Sequence, residues 1–383
     1  MRNGVVFSTL SVSPHQTAVF GELAKLVPVS YLYHFNGHDA QRAQCGWKME
    51  SMLPTRLIET QPDEELENAP ILIEGMRDVE LIERRLRRGL PTVYLSERWF
   101  KPVDVRLFGR VVQIPGIFRL AIPRYLKMAR ALARCMKDPN FHYLAQGIWA
   151  ARDMARICGI FSGRVSSLWR CPALTYEHVP CGRIGSSDPK AFGTDRIRLW
   201  GYFVEPTTAG KAEERGPRRD HTVLWVGRML GLKRVDTLIR AARLLPAMQF
   251  TLVGEGPEEA RLKSLAAGLD NVMFMKYQKA ERVRELMRQH DVFVLTSDGM
   301  EGWGAVVNEA LEEGMCVYGT REAGASASML PDDCLFAAGD VDGLKRLLEK
   351  PVRPGSIGKW VASSAAAALH GFLEQEVAHA VCR

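Results

Sequence analysis

Runs of β-forming residues alternate with helix-period segments throughout residues 221–357, and this alternation constrains the fold more than any other feature of the chain. Segments in this order predict parallel βαβ crossovers and a doubly wound sheet. We therefore assign this part of the chain to the α/β class. The expected strands are residues 221–226, 249–253, 271–275, 291–296 and 315–318, and the expected helices are residues 235–245, 258–267, 280–289 and 340–349.

The first half of the chain shows a looser pattern of the same kind, and 383 residues leave room for two domains of ordinary size. Residues 206–220 are rich in Thr, Ala, Gly, Lys, Glu and Arg and form the clearest linker. The predicted parts are an N-terminal domain (1–203), a linker (204–220), a C-terminal domain (221–357) and a final helix (358–383). Within the first domain we expect strands at residues 5–8, 27–33, 70–73, 92–95 and 196–203, and helices at residues 17–26, 79–88 and 141–157.

Composition excludes several classes of protein. Hydrophobic residues make up 46% of the chain and charged residues 25%, which is typical of a globular protein. No apolar run reaches ~18 residues, so no membrane span is predicted, and the first residues enter a strand without the apolar core of a signal peptide. The eight cysteines include no CxxC pair, which favours reduced thiols. Without a signal peptide or a membrane span, we predict a cytosolic protein. Cys171, His178 and Cys181 lack a fourth ligand at metal-site spacing, so we predict no metal site.

Basic residues are concentrated in one part of the chain. The net charge is +7, and residues 101–200 hold 17 Lys and Arg against 6 Asp and Glu. Such a surplus indicates an anionic neighbour, but no RNP, helix-turn-helix or zinc-finger pattern accompanies it, so nucleic acid is not the expected partner. Residues 106–137 interleave these cations with Leu, Ile and Phe, as in a segment that lies in a membrane interface. A helix with a basic outer face gives the same pattern; we favour the anionic membrane surface.

The segment Glu301–Glu309 follows the apolar run at 291–296 and precedes a helix-period segment, so it forms the loop of a βα unit. Ligands of parallel sheets lie at the carboxyl ends of the strands, and the backbone N–H groups of Gly302, Trp303 and Gly304 would attract a phosphate. Glu301 lies before the helix and Glu309 about two turns into it, at ~12 Å of rise. Carboxylates suit sugar hydroxyls as acceptors, although two solvated surface glutamates would show the same spacing.

A second loop of this kind follows the strand at residues 221–226. Arg228 and Lys233 straddle its glycine-bearing turn, where the two cations could clamp a pyrophosphate and neutralise a departing diphosphate. A basic loop near a helix start is the alternative explanation. A third loop, Gly254-Glu255-Gly256-Pro257, carries no acidic residue ~20 positions after a GxGxxG motif, which excludes a dinucleotide-dependent oxidoreductase.

These motifs, in this order and spacing, resemble the C-terminal half of the retaining GT-B glycosyltransferases of family 4. The resemblance rests on Val226-Gly227-Arg228, Lys233, Leu252 to Pro257 and the Glu-x7-Glu segment. Ser96-Glu97-Arg98 and Gly201-Tyr202-Phe203 are similar to a bacterial branch of the family whose members build cell-surface polysaccharides.

The resemblance implies two Rossmann-like doubly wound domains facing a cleft, with a nucleotide-sugar donor on the second domain and an acceptor on the first. It implies transfer of a hexose-type sugar, with retention, to a hydroxyl of a glycan or lipid-linked acceptor. No metal or cofactor is expected, since the donor, a UDP- or GDP-sugar, is a substrate. Arg228 and Lys233 would stabilise the leaving diphosphate, Glu301 would orient the hexose and Glu309 the ribose. The other residues expected at the donor are Gly227, Gly254, Glu255, Tyr277 and Gly302 to Gly304.

On the acceptor side the sequence departs from the family pattern. The first βα turn lacks the usual glycines, which leaves His15 as the candidate for acceptor contact. Many members have a histidine where this chain has Ser96 and Glu97, so Glu97 becomes the candidate for positioning the acceptor hydroxyl or accepting its proton. Arg98 is a further acceptor candidate, although a structural ion pair between Glu97 and Arg98 would also explain both residues.

Three functions stay open at the level of sequence. The first is glycosyl transfer in cell-surface polysaccharide assembly, by a cytoplasmic protein bound peripherally to the inner face of the membrane. The second is a nucleotide-sugar 2-epimerase on the same fold. The third is a non-catalytic GT-B-like binding protein.

Overall fold

The structure is a computed structural model, and it divides into two compact units. The first unit comprises Met1–Phe203 and Val361–Arg383, and the second comprises Val204–Trp360. The residues that the structure describes are 4–9, 13–33, 55–57, 64–75, 78–107, 110–161, 197–203, 219–349 and 362–374.

A seven-stranded parallel sheet forms the centre of the first unit, in the order β3-β2-β1-β4-β5-β8-β9. An antiparallel hairpin of β6 and β7 stands apart from it. The strands are β1 (Val5–Thr9), β2 (Val29–Tyr33), β3 (Thr55–Leu57), β4 (Ile71–Glu74), β5 (Thr92–Ser96), β6 (Val103–Leu107), β7 (Arg110–Ile114), β8 (Phe141–Gln146) and β9 (Ile197–Trp200). The helices are α1 (Pro14–Ala24), α2 (Glu64–Asn68), α3 (Val79–Arg87), a 3₁₀ helix (Gly116–Ala121), α4 (Pro123–Cys135) and α5 (Ile148–Phe161).

The second unit contains a six-stranded parallel sheet in the order β12-β11-β10-β13-β14-β15. Its strands are β10 (Arg219–Val226), β11 (Gln249–Val253), β12 (Val272–Met275), β13 (His290–Leu295), β14 (Cys316–Thr320) and β15 (Leu335–Phe336). Its helices are α6 (Val235–Leu244), α7 (Glu259–Leu265), α8 (Ala280–Gln289), α9 (Val306–Glu312), α10 (Gly324–Met329) and α11 (Val341–Glu349), with 3₁₀ turns at Gly231–Lys233 and Asp332–Cys334.

A last helix, α12 (Ala362–Phe372), belongs to the first unit. It packs against α1. Residues 204–218, which make up most of the predicted linker, lie outside the described residues, and β10 begins at Arg219, two residues before the predicted domain boundary.

The predicted α/β class and the two doubly wound parallel sheets are confirmed. Strands β1, β4, β5 and β8 are continuous buried runs, as is typical of a parallel sheet that is covered on both faces. None of the helices that the structure describes is long and apolar enough to span a bilayer.

The predicted helix at residues 141–157 is wrong. Its first six residues form β8, in which every side chain is buried, and α5 begins only at Ile148. Gly147 separates the two elements with a φ of +89°, a conformation that glycine adopts without strain. The run Phe141 to Tyr143 contains bulky side chains that pack well on a pleated sheet, and this preference outweighs the helical spacing.

The basic stretch at residues 106–137 is not one amphipathic segment. It comprises the hairpin of β6 and β7, the 3₁₀ helix and α4, of which only α4 is a regular α-helix. Cys171, His178 and Cys181 lie outside the described residues.

Candidate functional site

The loop after β10 is fastened to the end of the neighbouring strand β13. The Thr296 hydroxyl donates a hydrogen bond of 2.6 Å to the backbone oxygen of Lys233. The backbone N–H of Asp298 donates to the oxygen of Leu232 at 2.8 Å. Because β10 and β13 pair directly and in parallel, these bonds hold the 3₁₀ turn Gly231–Lys233 beside the loop that follows β13.

This arrangement brings two of the predicted site residues together. The Lys233 ammonium forms an ion pair with the Glu301 carboxylate, and the Ser297 hydroxyl donates to the same carboxylate oxygen at 3.0 Å. The side chains of Lys233 and Glu301 are 18% and 15% exposed, so the pair is largely shielded but still open to solvent on one side. The Lys233 ammonium can bind a phosphate, and the neighbouring Glu301 carboxylate can accept a hydrogen bond from a sugar hydroxyl of the same ligand.

The position of Glu301 is set by a turn that the sequence did not single out for function. Asp298 accepts hydrogen bonds from the backbone N–H groups of Met300, through its side chain at 2.9 Å, and of Glu301, through its carbonyl at 3.0 Å. The Thr320 hydroxyl donates to the backbone oxygen of Ser297. The signal in the sequence was the Ser-Asp-Gly triplet after a strand, since an aspartate commonly closes such a turn with its own side chain.

The glycine loop after Glu301 is closely packed. Gly304 has a φ of +93°, and a Cβ there would lie 2.9 Å from Leu295 Cδ2. A Cβ on Gly324 would overlap the carbonyl oxygen of Gly302. Within the described residues, the backbone N–H groups of Gly302 and Gly304 have no protein partner. This loop therefore presents two unpaired donors beside the ion pair, as an anion site requires.

Trp303 lies inside this loop with an exposed fraction of 2%. Its indole N–H donates to Asn308 Oδ1 at 2.8 Å, and its backbone oxygen accepts from the N–H of Ala325 at 2.8 Å. The Trp303 side chain therefore braces the glycine loop from within the protein.

The predicted depth of Glu309 within its helix is wrong. Helix α9 begins at Val306, so Gly302 to Gly304 precede it and Glu309 lies in its first turn. The positive φ of Gly304 interrupts the helical pattern that the apolar spacing suggested. Glu309 is half-buried, so its side chain remains accessible near the same loop.

The loops after β10 and β11 are in close contact, and two glycines, Gly254 and Gly256, allow it. Gly254 has a φ of +135°, and a Cβ there would overlap the carbonyl oxygen of Gly227. A Cβ on Gly256 would lie 2.5 Å from the oxygen of Met229. The Met229 N–H donates to the oxygen of Glu255 at 2.9 Å. Glycine is therefore required at positions 254 and 256, where a Cβ would meet the backbone of the other loop.

The remaining predicted donor residues lie along the same edge of the sheet. The Glu255 carboxylate accepts from the backbone N–H of Tyr277 at 3.3 Å, and the Tyr277 side chain is 42% exposed. Arg228 is exposed and has no side-chain partner among the described residues. From Tyr277, after β12, to Glu301, after β13, the edge crosses three strand spacings, or about 14 Å. That span suits an elongated polar ligand.

The predicted acceptor residues lie in the first unit. Glu97 accepts hydrogen bonds from Lys101 Nζ at 2.9 Å and from the Tyr202 hydroxyl at 3.3 Å. The Arg98 guanidinium lies over the indole ring of Trp149, 5.0 Å from its centroid. His15 is the second residue of α1, and its side chain lies outside what the structure describes.

The loop that carries Glu97 is anchored by Asp153, which sequence reasoning missed. This fully buried carboxylate accepts hydrogen bonds from the backbone N–H groups of Trp99 at 2.9 Å and Phe100 at 2.8 Å. Burial raises the pKa of Asp153, while Arg98, the two N–H donors and Arg156 lower it. The wrong helix at 141–157 concealed this residue, because it gave no reason to place α5 beside the end of β5.

Comparison with known proteins identifies the second unit. Residues 208–352 match the family "Glycosyl transferases group 1", so this unit contains a glycosyltransferase group 1 domain. Sulfoquinovosyl transferase SQD2 of Arabidopsis thaliana is 28% identical over 63% of this chain and 48% of its own length. The lipopolysaccharide core biosynthesis glycosyltransferase LpsE of Rhizobium meliloti is 30% identical over 40% of this chain and 46% of its own length. The chain thus spans about half the length of these curated relatives.

Solved structures with a similar fold are also found. HepE of Anabaena, in complex with UDP, superposes with a TM-score of 0.60 at 14% identity, covering 99% of each chain. Sucrose-phosphate synthase of Thermosynechococcus elongatus gives a TM-score of 0.58 at 14% identity, covering 99% of this chain and all of its own. The fold is therefore that of the GT-B glycosyltransferases.

Proposed function

We propose that this protein is a retaining glycosyltransferase of family 4 that moves a hexose-type sugar from a nucleotide-sugar donor to a hydroxyl of a glycan or lipid-linked acceptor. The observation that carries the proposal is the ion pair between Lys233 and Glu301 beside the two unpaired N–H groups of the glycine loop. It lies within the residues that match the group 1 family.

Each donor residue has a role that its chemistry supports. The Lys233 ammonium has three N–H donors, so it can keep Glu301 and also bind a phosphate oxygen. Arg228 and the N–H groups of the glycine loop add positive potential where charge develops on the departing diphosphate. Glu301 accepts from hexose hydroxyls and Glu309 from those of the ribose. Glu255 follows β11, one strand from β10, and Tyr277 follows β12, two strands from β10, where the base would extend.

Retention follows if the leaving diphosphate and the attacking hydroxyl share one face of the sugar. A leaving phosphate oxygen then accepts the proton of the acceptor hydroxyl as the new glycosidic bond forms and the bond to the diphosphate breaks. The cations of the second unit stabilise the negative charge, which is the role a divalent ion has in other transferases. Glu97, held by Lys101 and Tyr202, would orient the acceptor.

We further propose a cytoplasmic enzyme of cell-surface polysaccharide assembly that binds the inner face of the membrane peripherally. Phe118, in the 3₁₀ helix, and Ile122, directly before α4, are 59% and 44% exposed. Arg124, Arg130 and Lys137 are exposed along or just after α4. Apolar side chains beside cations are the features that bind anionic lipid. The likeness to LpsE, whose name assigns it to lipopolysaccharide core synthesis, supports the same setting.

A thermal-shift screen over UDP-, GDP- and ADP-sugars tests the donor, because a ligand that binds the folded state raises the melting temperature. We expect one nucleotide class to stabilise the protein and its labelled sugar to pass into a membrane extract. Chemical change of the donor without acceptor would instead indicate an epimerase. Stabilisation by no donor would refute the proposal.

A further inference from the structure

A small cavity lies beside the carboxyl-terminal half of α4 and the end of α5. Its volume is about 180 Å³, and it is lined by Arg130, Ala133, Arg134, Lys137 and Phe161. The first four follow the i, i+3, i+4, i+7 spacing that places side chains on one side of a helix, and Phe161 is the last residue of α5. Three cations therefore share this space, which we call the α4 cavity.

Two of these cations have no acidic partner in the part of the chain that the structure describes. Arg134 donates to Glu83 at 2.7 Å. Arg130 lies over the Phe161 ring, 5.8 Å from its centroid, and neither Arg130 nor Lys137 pairs with a carboxylate there. Three cations against Glu83 leave a surplus of two charges, from which the negative end of the α4 dipole subtracts about half a charge.

The α4 cavity combines exposed cations with an apolar lining. The three basic side chains are exposed, whereas Ala133 is buried and Phe161 is half-buried. Asp138 is not among the residues that line the cavity, and its carboxylate accepts a hydrogen bond from the backbone N–H of Asn140 at 2.8 Å. The cavity therefore suits an anion that carries an apolar group.

The same side of α4 also carries Ile122, which is 44% exposed. At about 100° per residue, Ile122 lies within ~80° of Arg130 and ~60° of Lys137 around the helix axis. The cavity thus lies on the side of α4 that would face a membrane.

We propose that the α4 cavity binds a phosphomonoester group, with Arg130 and Lys137 as its ligands. The guanidinium fork matches phosphate oxygens, and the ammonium adds a point charge. A phosphomonoester carries about −1.5 to −2 charges at neutral pH, which matches the surplus of about 1.5, whereas a phosphodiester or a carboxylate carries a single charge. The apolar lining and the position beside Ile122 favour a phosphate carried by a lipid. Only this lipid source rests on the proposed membrane attachment.

The test follows Phe161, the aromatic residue of the cavity. The full chain is labelled with 4-fluorophenylalanine, and the Phe161 resonance is assigned with Phe161→Leu. Dihexanoyl phosphatidic acid, a soluble lipid with a phosphomonoester, is titrated below its critical micelle concentration at constant ionic strength. We expect a saturable shift of this resonance, and a weaker affinity for dihexanoyl phosphatidylglycerol, whose phosphate is a diester.

Substitutions at the two cations identify the ligands. Arg130→Gln and Lys137→Gln should each raise the Kd about fivefold or more, because each removes a charged hydrogen-bond donor. Arg124→Gln is the matched control, since Arg124 is an exposed cation of α4 that does not line the cavity. It should leave the Kd unchanged.

A second arm replaces the lipid with glycerol 3-phosphate. Weaker binding of this ester than of the lipid supports a lipid-borne phosphate, and equal binding supports a free phosphate ester. A response to neither ester, equal affinity for the phosphodiester lipid, or a response that both substitutions leave unaltered overturns the proposal. Because the readout needs neither vesicles nor sugar transfer, it is independent of the proposed membrane attachment and of the proposed reaction.

Discussion

Lys233 and Glu301 stand 68 positions apart in the chain and form an ion pair at adjacent strand ends of the second unit. The pair depends on the backbone of both partners, because Thr296 and Asp298 bind the turn of Lys233 and Asp298 also binds the N–H of Glu301. The two side chains are therefore held in position before any ligand arrives, which reduces the ordering that binding and catalysis must impose.

We expect Lys233→Ala and Glu301→Ala each to lower kcat/KM for sugar transfer by about 100-fold or more, the loss typical of a removed group that stabilises developing charge. Steady-state transfer assays with the donor found in the screen measure this. The double variant should lose less than the sum of the single losses, because the two residues act as a pair.

Lys263→Ala is the matched control for these substitutions. Lys263 also pairs with a glutamate, Glu259, but on the exposed face of α7. Its removal should leave transfer within a factor of two or so, since exposed pairs of this kind contribute little. Full activity in the Lys233 and Glu301 variants would contradict the site assignment.

Gly254→Ala should destabilise the second unit by at least ~2 kcal/mol, because the added Cβ would overlap the oxygen of Gly227 and the φ of +135° disfavours any side chain. Urea denaturation, monitored by the fluorescence of the buried Trp225, gives the free energy of unfolding. In Gly231→Ala the added Cβ meets nothing within 4 Å, so we expect a change of only about 0.5 kcal/mol. Equal stability of the two variants would show that the loops do not touch.

Membrane binding is predicted to need both the apolar and the basic residues of the α4 region. The double variant Phe118→Ser, Ile122→Ser should lose most of its binding to anionic vesicles in sedimentation assays, because these two side chains would enter the interface. Binding of the wild-type protein should weaken as salt is added, since exposed charges are screened. Lys127 and Arg134 contribute less because they pair with Glu80 and Glu83 on α3.

Leu244→Ser is the control for this prediction, since Leu244 is an equally exposed apolar residue, 47% accessible, in the second unit. It should bind vesicles like the wild type. Binding to neutral vesicles as strong as to anionic ones would argue against the membrane proposal.

The buried carboxyl of Asp153 predicts a pH effect on stability. Its pKa in the folded protein is raised above the usual 3.8, mainly by burial, although Arg98 and Arg156 face it. Between the unfolded and folded pKa values the folded protein binds more protons, so the stability linked to this group is full below about 3.8 and is lost as the pH rises through the folded value. The melting temperature of the wild type should therefore fall relative to that of Asp153→Asn as the pH is raised from 4.5 to 8.

Asp270→Asn is the control, because the Asp270 side chain is exposed to solvent. It measures the change in melting temperature that follows from replacing a carboxyl by an amide without any burial. A melting temperature of the wild type that rises relative to that of Asp153→Asn over the same pH range would mean that the ion pairs and N–H bonds outweigh burial.

The two sheets could be predicted because strands that are buried on both faces appear in the sequence as continuous runs of apolar residues. The helix at 280–289 matches α8 at both ends, and the strand at 249–253 matches β11, because apolar spacing alone decides such elements. The segment 141–157 could not be divided correctly, since the choice between strand and helix for Phe141 to Gln146 depends on its neighbours, β5 and β9.

The candidate site could be predicted in its residue types but not in its contacts. Lys233 and Glu301 were both singled out, but their contact depends on the register of β10 against β13, which leaves no pattern in the chain, and on the turn at Asp298. Trp149 and Asp153 belong to an element whose start was misplaced. Their contacts with the residues after β5 depend on the pairing of β5 with β8, which the sequence does not reveal.

Helix α12 completes the first unit although the entire second unit precedes it in the chain. During synthesis a ribosome therefore delivers every residue of the second unit before the amino-terminal sheet receives the helix that covers α1. We therefore expect the second unit to complete its folding before the first unit, although most of the first unit is synthesised earlier. The chain passes between the two units twice, after Phe203 and after Trp360. Proteolytic cleavage of one of these two connections therefore leaves the units covalently joined by the other.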